Sequence, residues 1–405
     1  MRKILWISTA VPYDSVSHAG GKTHNYYIKY LKKSGLFDIH LVSLAEAYEA
    51  DKIDLDKYGI DSDICVVGGN FIKNILRMMF NMNSMFNYKH RLCQTILSYQ
   101  FLALKKRVRK YAEYNKPDYV IMQWTGAAFL LPYVRELFPE AKTIIIEEDV
   151  SFLGYQRKYL KEKNKLKRRQ KRYRYEQLKK SELALLANSD LVVVNNEKDK
   201  QLIVDNGIEE HNIYVATPYY DDYSGIERKP GSNILFYGNM NREENHSAAI
   251  WFAREVMPYL QNESIEYNVV GNNPRAEWKD IVDKRIHVRG YVEDVTPYFE
   301  SCLCMVVPLE LGAGIKVKVL EGLSAGIPVL TNEVGIEGIS AQKDREYIHC
   351  ATSDDYIDSI KDLLDHPEKV QQIGENAREY MLHNYNIDNK LDGLIHLLKE
   401  MTGDV

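Results

Sequence analysis

With 405 residues, of which 45% are hydrophobic and 27% charged, the chain holds apolar material for more than one core, and at roughly 150 residues per domain two domains are expected. That balance excludes wholesale disorder and low-complexity scaffolding. The net charge of -4 conceals a split, because residues 1–225 carry 35 basic against 27 acidic side chains and residues 226–405 carry 18 against 30. A basic first half suits an anionic partner, by steering rather than by any finer recognition.

Five cysteines, at 65, 93, 302, 304 and 350, fit neither a disulfide framework nor zinc-ligand spacing, so a reducing compartment is expected. The apolar run 4–7 after Met1, Arg2 and Lys3 is too short for a signal-peptide core, and no run approaches the ~20 residues of a membrane span. A cytoplasmic protein is the expectation.

In chain order, nearly continuous apolar runs at 4–8, 39–43, 64–67, 119–123, 143–146 and 191–194 read as strands buried on both faces, with helical stretches between them. This is the rhythm of a doubly wound parallel sheet. After the tyrosine-rich segment 219–225 and the breaker Lys229-Pro230-Gly231 the rhythm restarts, with strands expected at 234–237, 267–270, 286–288, 303–307 and 328–330. From 367 onward the pattern is helical, and Ile387, Leu391, Leu394, Ile395 and Leu398 share one face. The expected fold is α/β, with two doubly wound Rossmann-like domains facing across a cleft. The domains would span 1–228 and 229–380, and a terminal helix, 381–405, would pack back on the first. Ligands of open parallel sheets bind at the carboxyl ends of the strands, so function is sought there.

The first strand leads to Gly20-Gly21-Lys22-Thr23-His24, a glycine pair ahead of a helix, where backbone N–H groups and the helix dipole suit an anion. A nucleotide P-loop would need a glycine at 16, which is Val16. A plain tight turn is the alternative. Strand 143–146 ends in Glu147-Glu148-Asp149. Glu148 and Asp149 there could handle an acceptor hydroxyl or a developing positive charge, or Asp149 could simply cap the next helix.

The richest stretch runs from Met305 to Val329. A buried strand ends at Pro308, a turn carries Gly312, Ala313 and Gly314, and a helix is expected from about Ile315, with Lys316 and Lys318 in its first turn and Glu321 on the Lys318 face. A diphosphate on the turn amides with a lysine beside it, and ribose hydroxyls on Glu321, fit this spacing. An ordinary surface pair of Lys318 and Glu321 is the alternative.

These residues carry a resemblance. Together with 236–240, Asn245, Trp251-Phe252, 269–274 and 287–294, they make the second half similar to family 4 glycosyltransferases of the retaining GT-B type; Gly20-Gly21 extends the likeness to the first half. The resemblance implies a nucleoside diphosphate sugar, UDP- or GDP-linked, bound mainly by the second domain, with no other cofactor and no metal. The base would lie near Gly271, Gly290, Tyr291 and Val292, beside Asn239; Glu321 would hold the ribose. The diphosphate would meet the backbone of Gly312, Ala313, Gly314, Ile315 and Lys316, with Lys316 and Lys318 stabilising the leaving group and Gly20 and Gly21 assisting.

The sequence departs from the family pattern in three regions. Ala313 stands where many members have a first glutamate, Asn239 and Asn245 occupy the region where many have arginine and lysine, with Arg242 nearby, and Gln123-Trp124 replaces a histidine for which His18 or His24 could substitute, although a solvated loop histidine is the simpler reading of each. A small residue at 313 occurs in a similar sub-branch, so transfer is expected to survive. The implied activity is hexose transfer to a saccharide or lipid-linked acceptor in surface polysaccharide or glycolipid assembly. Alternatives are a nucleotide-sugar epimerase or hydrolase on the same fold, and a silent transferase-like subunit of a membrane complex.

Two Asp-x-Asp pairs, Asp54/Asp56 and Asp61/Asp63, read as loop acids before a strand rather than metal ligands. Residues 157–180 hold 13 basic and two acidic side chains interleaved with tyrosine and leucine, and 71–110 combines basic residues with Met78, Met79, Phe80, Met82, Met85 and Phe86. Peripheral contact with an anionic membrane, on its inner face, or a solvated helix face would explain them; no nucleic-acid-reading motif accompanies the charge.

Overall fold

The computed structural model describes residues 1–68, 95–312 and 314–403. Two compact units emerge, Met1–Tyr219 with Ile387–Val405, and Tyr220–Asn386.

In the first unit the elements are β1 (Arg2–Ser8), α1 (Ala19–Lys33), β2 (Phe37–Glu46), β3 (Asp61–Val67), α2 (Ser98–Ala112), β4 (Tyr119–Gln123), α3 (Trp124–Ala128), α4 (Leu131–Leu137), β5 (Lys142–Glu147), α5 (Ser151–Leu160), α6 (Lys165–Ala187), β6 (Leu191–Val194), α7 (Glu197–Val204) and β7 (Ile213–Val215). The strands form one sheet in the order β3-β2-β1-β4-β5-β6-β7, with every pairing parallel. Strand alternation divides the apolar side chains between two layers. Leu5, Ile7, Val120, Met122 and Ile145 enter the core on one face, and Ile4, Trp6, Tyr119, Ile121 and Ile144 the core on the other. Each such fully buried side chain contributes about 1.5–3 kcal/mol, which is why these runs lack polar interruptions.

The second unit continues with β8 (Asn233–Tyr237), α8 (Glu243–Glu255), β9 (Glu266–Val270), β10 (Ile286–Gly290), α9 (Thr296–Ser301), β11 (Cys302–Val307), α10 (Val317–Ser324), β12 (Val329–Thr331), β13 (Ile348–His349), α11 (Ser353–Asp365) and α12 (Pro367–Asn384). Its sheet, again parallel, has the order β10-β9-β8-β11-β12-β13. The last helix, α13 (Ile387–Met401), gives Leu391, Leu394, Ile395 and Leu398 to the first unit's core. In each sheet the strand order reverses beside the first strand, at β1/β4 and at β8/β11, and the carboxyl ends of those pairs are the natural ligand positions.

The seam falls between 219 and 220 rather than between 228 and 229. Tyr220, Tyr223 and Ile226 pack against the second core, and Arg228 donates to the carbonyls of Gly326 (2.6 Å) and Cys302, so this linker-like stretch is built into the second unit. Likewise the terminal helix begins at Ile387 rather than 381, because Met381 is buried in the second core as part of α12. Strands β7 and β13, of three and two residues, are too short to show a pattern in sequence. Asp61 and Asp63 open β3 instead of preceding it; Arg107 pairs with Asp63 at 3.0 Å and Lys29 with Asp54 at 3.4 Å.

Candidate functional site

The second unit's candidate site is built from the turns that follow β8, β9 and β11. Gly238 N–H donates to Val270 O (2.9 Å), Gly271 N–H to Gly290 O (2.8 Å) and Met240 N–H to Asn272 O (2.9 Å), which laces the strand ends together. Gly271 has φ 153°, and a Cβ on it would lie 1.8 Å from Gly238 O, so two backbones meet here at a distance that only glycine allows. Gly238, at φ 155°, is similarly constrained, since its Cβ would fall 2.4 Å from Lys318 Nζ. The result is a side-chain-free wall at the β8/β9 end. Asn239 is exposed and tied in by its carbonyl, which accepts from Asn245 Nδ2 at 2.8 Å.

Opposite in sequence, the turn after β11 leads into α10. The helix begins at Val317, two residues later than expected, and Lys316 is its N-cap residue, so only Lys318 lies in the first turn. Lys316 Nζ donates to Gly314 O and stands 3.6 Å from Glu337 Oε2, an ion pair whose side chains are 10% and 6% exposed. Gly312 and Gly314 take positive φ, 110° and 69°. Lys318 Nζ donates to Asn245 Oδ1 at 2.7 Å and sits over the Phe236 ring, 4.7 Å from its centroid. Burial, then the charge of Arg242, pushes the Lys318 pKa down to about 7 against the pull of Glu244 and Glu321. Glu321 is only 4% exposed, which removes the surface-pair alternative. Burial and then the Glu321 charge also raise the Tyr237 hydroxyl. Ile315 and Val292 are half-buried against the core, whereas Tyr291 is exposed. Ala313 lies outside the described residues.

In the first unit, Gly20 and Gly21 do not precede the helix: α1 starts at Ala19 and both lie in its first turn. His18 is the N-cap, its Nδ1 accepting the Gly21 N–H at 2.9 Å. Gly20 presses on Glu148, and a Cβ there would meet Glu148 Oε2 at 2.6 Å. Gln123 Nε2 donates to Glu148 Oε1 at 2.7 Å, and the Trp124 side chain also hydrogen-bonds this carboxyl. Burial and then the charge of Asp149 push the Glu148 pKa up to about 8, so the group is largely a neutral acid at pH 7. Trp124 holds φ 67°, a left-handed conformation costly for a bulky residue. His24 is fully buried, stacked on Trp6 with ring centroids 5.6 Å apart and edge-on to Trp124 at 5.4 Å; burial lowers its pKa to about 3. It is therefore a neutral core histidine rather than a loop group.

Asp149 is exposed and is not the cap of α5; Val150 holds that position without a side-chain bond. The first-turn amides of Ser151 and Phe152 are instead accepted by Glu182 of α6, at 2.7 and 3.0 Å. Sequence reasoning missed Glu182, Glu337 and Asn245 as partners because each reaches its site across the fold. The left-handed Trp124 had no local signal either. Of the two basic segments, residues 163–170 are all exposed, including Leu166 at 81%. Met78, Met79, Phe80, Met82, Met85 and Phe86 lie outside the described residues.

Residues 231–366 match the family described as Glycosyl transferases group 1. Over 409 aligned residues the chain is 21% identical to an uncharacterized 44.6 kDa protein in the cps region of Klebsiella pneumoniae, covering 95% of this chain and 97% of that one. Among solved structures, sucrose-phosphate synthase from Thermosynechococcus elongatus superposes with a TM-score of 0.73 at 13% identity, over 100% of both chains. HepE from Anabaena, in complex with UDP, gives 0.67 at 11% identity, over 98% of this chain and 100% of that one. The structural similarities fix a GT-B type fold of two Rossmann-like units, and residues 231–366 of the second unit are similar to group 1 glycosyl transferases.

Proposed function

We propose that this protein is a retaining, metal-independent glycosyltransferase that moves a hexose from a UDP- or GDP-linked sugar to a saccharide or lipid-linked acceptor in surface polysaccharide or glycolipid assembly. The observation that carries this reading is the convergence, within the matched domain, of the glycine-walled ends of β8 and β9 with Lys318 and Glu321 on α10 and Lys316 at its N-cap. Glycines let a flat base and a diphosphate lie against backbone, two lysines offset the charge that grows on the departing nucleoside diphosphate, and Glu321 accepts from ribose hydroxyls. The place of the Klebsiella relative in a cps region supports a polysaccharide setting, and the UDP bound to HepE supports a nucleoside diphosphate.

In the first unit, Glu148 and Asp149, which follow β5, would serve the acceptor hydroxyl. The basic, exposed start of α6 suits an anionic membrane surface where a lipid-linked acceptor would reside.

Incubating the protein with a panel of labelled nucleotide sugars and lipid or saccharide acceptors, and reading the anomeric configuration of the product, tests the assignment. Transfer with retained configuration supports it. A new nucleotide sugar formed without acceptor would replace it with epimerisation, and an inverted product would refute the stereochemical part.

A further inference from the structure

Lys318 is a buried lysine with little to hold a positive charge. Among the described residues its Nζ has one hydrogen bond, to Asn245 Oδ1 at 2.7 Å, and one ring contact, the Phe236 face at 4.7 Å. The charged groups that act on it are mixed: Arg242 and Lys316 disfavour its proton, and Glu244 and Glu321 favour it. Nζ also lies where a side chain on Gly238 would begin, so it faces the bare backbone turn that closes β8.

Asn245 joins these parts. From the first turn of α8 its side-chain Nδ2 donates to Asn239 O (2.8 Å), which orients the amide and directs Oδ1 at the lysine, while its backbone N–H donates to Arg242 O (3.1 Å). It is 6% exposed. A neutral amide accepts one hydrogen bond here without supplying the negative charge that would keep an ammonium permanently protonated.

We propose that Asn245 is a positioning residue of the anion site. It aims Lys318 at the Gly238 turn while leaving it uncompensated, so that an arriving diphosphate supplies the missing charge and is bound with uptake of a proton by the lysine. This rests on the transferase reading above, and adds to it a residue role and a proton coupling. The balance is simple: amine, proton from solvent and dianionic or trianionic phosphate give an ammonium paired with the anion, with no bond to carbon or phosphorus made or broken. The lowered affinity of Lys318 for protons in the free protein agrees with this, since a nearby anion favours the charged form.

Calorimetric titration of the full chain with UDP, GDP and inorganic pyrophosphate at pH 8, in buffers of different ionisation enthalpy, counts the protons taken up. At that pH free UDP is fully ionised, so uptake reports on the protein. The wild type should bind at least one nucleotide with uptake of most of one proton. Lys318→Met should abolish the uptake. Asn245→Ala should weaken binding by about tenfold, the scale of one hydrogen bond to a charged group. Asn245→Asp, which keeps the size of the side chain, should remove the uptake by holding the lysine protonated in advance. Nucleotide binding with unchanged affinity and uptake in both Asn245 variants would overturn the positioning role alone. Failure of the wild type to bind any of the three ligands would overturn the transferase reading, and this proposal with it.

Discussion

The carboxyl groups of Glu147 and Glu182 are hydrogen-bonded to each other in the interior of the first unit, where burial and mutual repulsion raise the affinity of Glu147 for protons. Glu147 Oε2 has no donor of its own, and Glu182 already accepts two amides of α5, so a proton carried by Glu147 completes the contact. Thr125 and Ser151 extend it, Thr125 Oγ1 donating to Glu147 Oε1 and lying 2.7 Å from Ser151 Oγ.

This contact predicts destabilisation as pH rises. Glu147 and Glu148 both have raised pKa values, Glu148 rising from 4.5 to about 8. A raised carboxyl contributes stability that is complete below its unfolded pKa and is lost as pH climbs through the folded one. Between pH 6 and pH 7, below the range in which the lowered Lys318 pKa makes stability rise with pH, the Tm should therefore fall, by roughly 3 °C or more. Glu147→Gln, whose amide donates to Glu182 at any pH, should flatten the slope. A Tm that rises over this window would contradict the assignment.

Lys316 has both a structural and a functional part, and they can be separated. Lys316→Ala removes the cation 3.6 Å from the buried Glu337 carboxylate, a loss of about 3 kcal/mol by the usual cost of breaking a buried pair. Removing both charges, Lys316→Met with Glu337→Gln, should recover most of that stability in denaturant titrations. Turnover should stay low in both variants. Restored turnover in the double variant would make Lys316 purely structural.

The exposed basic start of α6 gives a third prediction. Lys171 and Arg172 are paired within the segment, with Glu162 at 2.6 Å and Glu176 at 2.8 Å, but Lys167, Arg168 and Arg169 lie on fully exposed backbone beside Leu166. Neutralising these five residues should reduce sedimentation with anionic liposomes, and the wild-type binding should itself weaken with salt. Equal binding by both proteins would leave α6 a solvated helix face.

Much of this fold is legible in the chain. The strands are continuous apolar runs because both sheet faces are covered, and β4 and β6 begin and end where the apolar runs do. The stretch from Gly312 to Glu321 also stands out in sequence, and its glycines do take positive φ and Glu321 is buried, as a turn followed by an inward-facing helix requires. What sequence does not show is where side chains from distant elements arrive. Asn245 stands close to Gly238 in sequence yet takes its meaning from Lys318 on α10, and Glu182 caps a helix that Asp149 seemed placed to cap. The tyrosine-rich segment 219–223 looks like a linker by composition; Tyr220 and Tyr223 pack against the second core, with the Tyr223 ring 4.8 Å from Phe299, while Tyr219 lies against Tyr26 of the first unit, ring centroids 5.0 Å apart.

The central claim is that the second unit holds a nucleoside diphosphate through Glu321 and the α10 lysines. Isothermal titration of UDP and GDP into the wild type and into Glu321→Ala tests it most directly. One nucleotide should bind the wild type in a 1:1 ratio and the variant at least tenfold more weakly, the cost of losing hydrogen bonds to a carboxylate. Equal affinity in the two proteins would contradict the account.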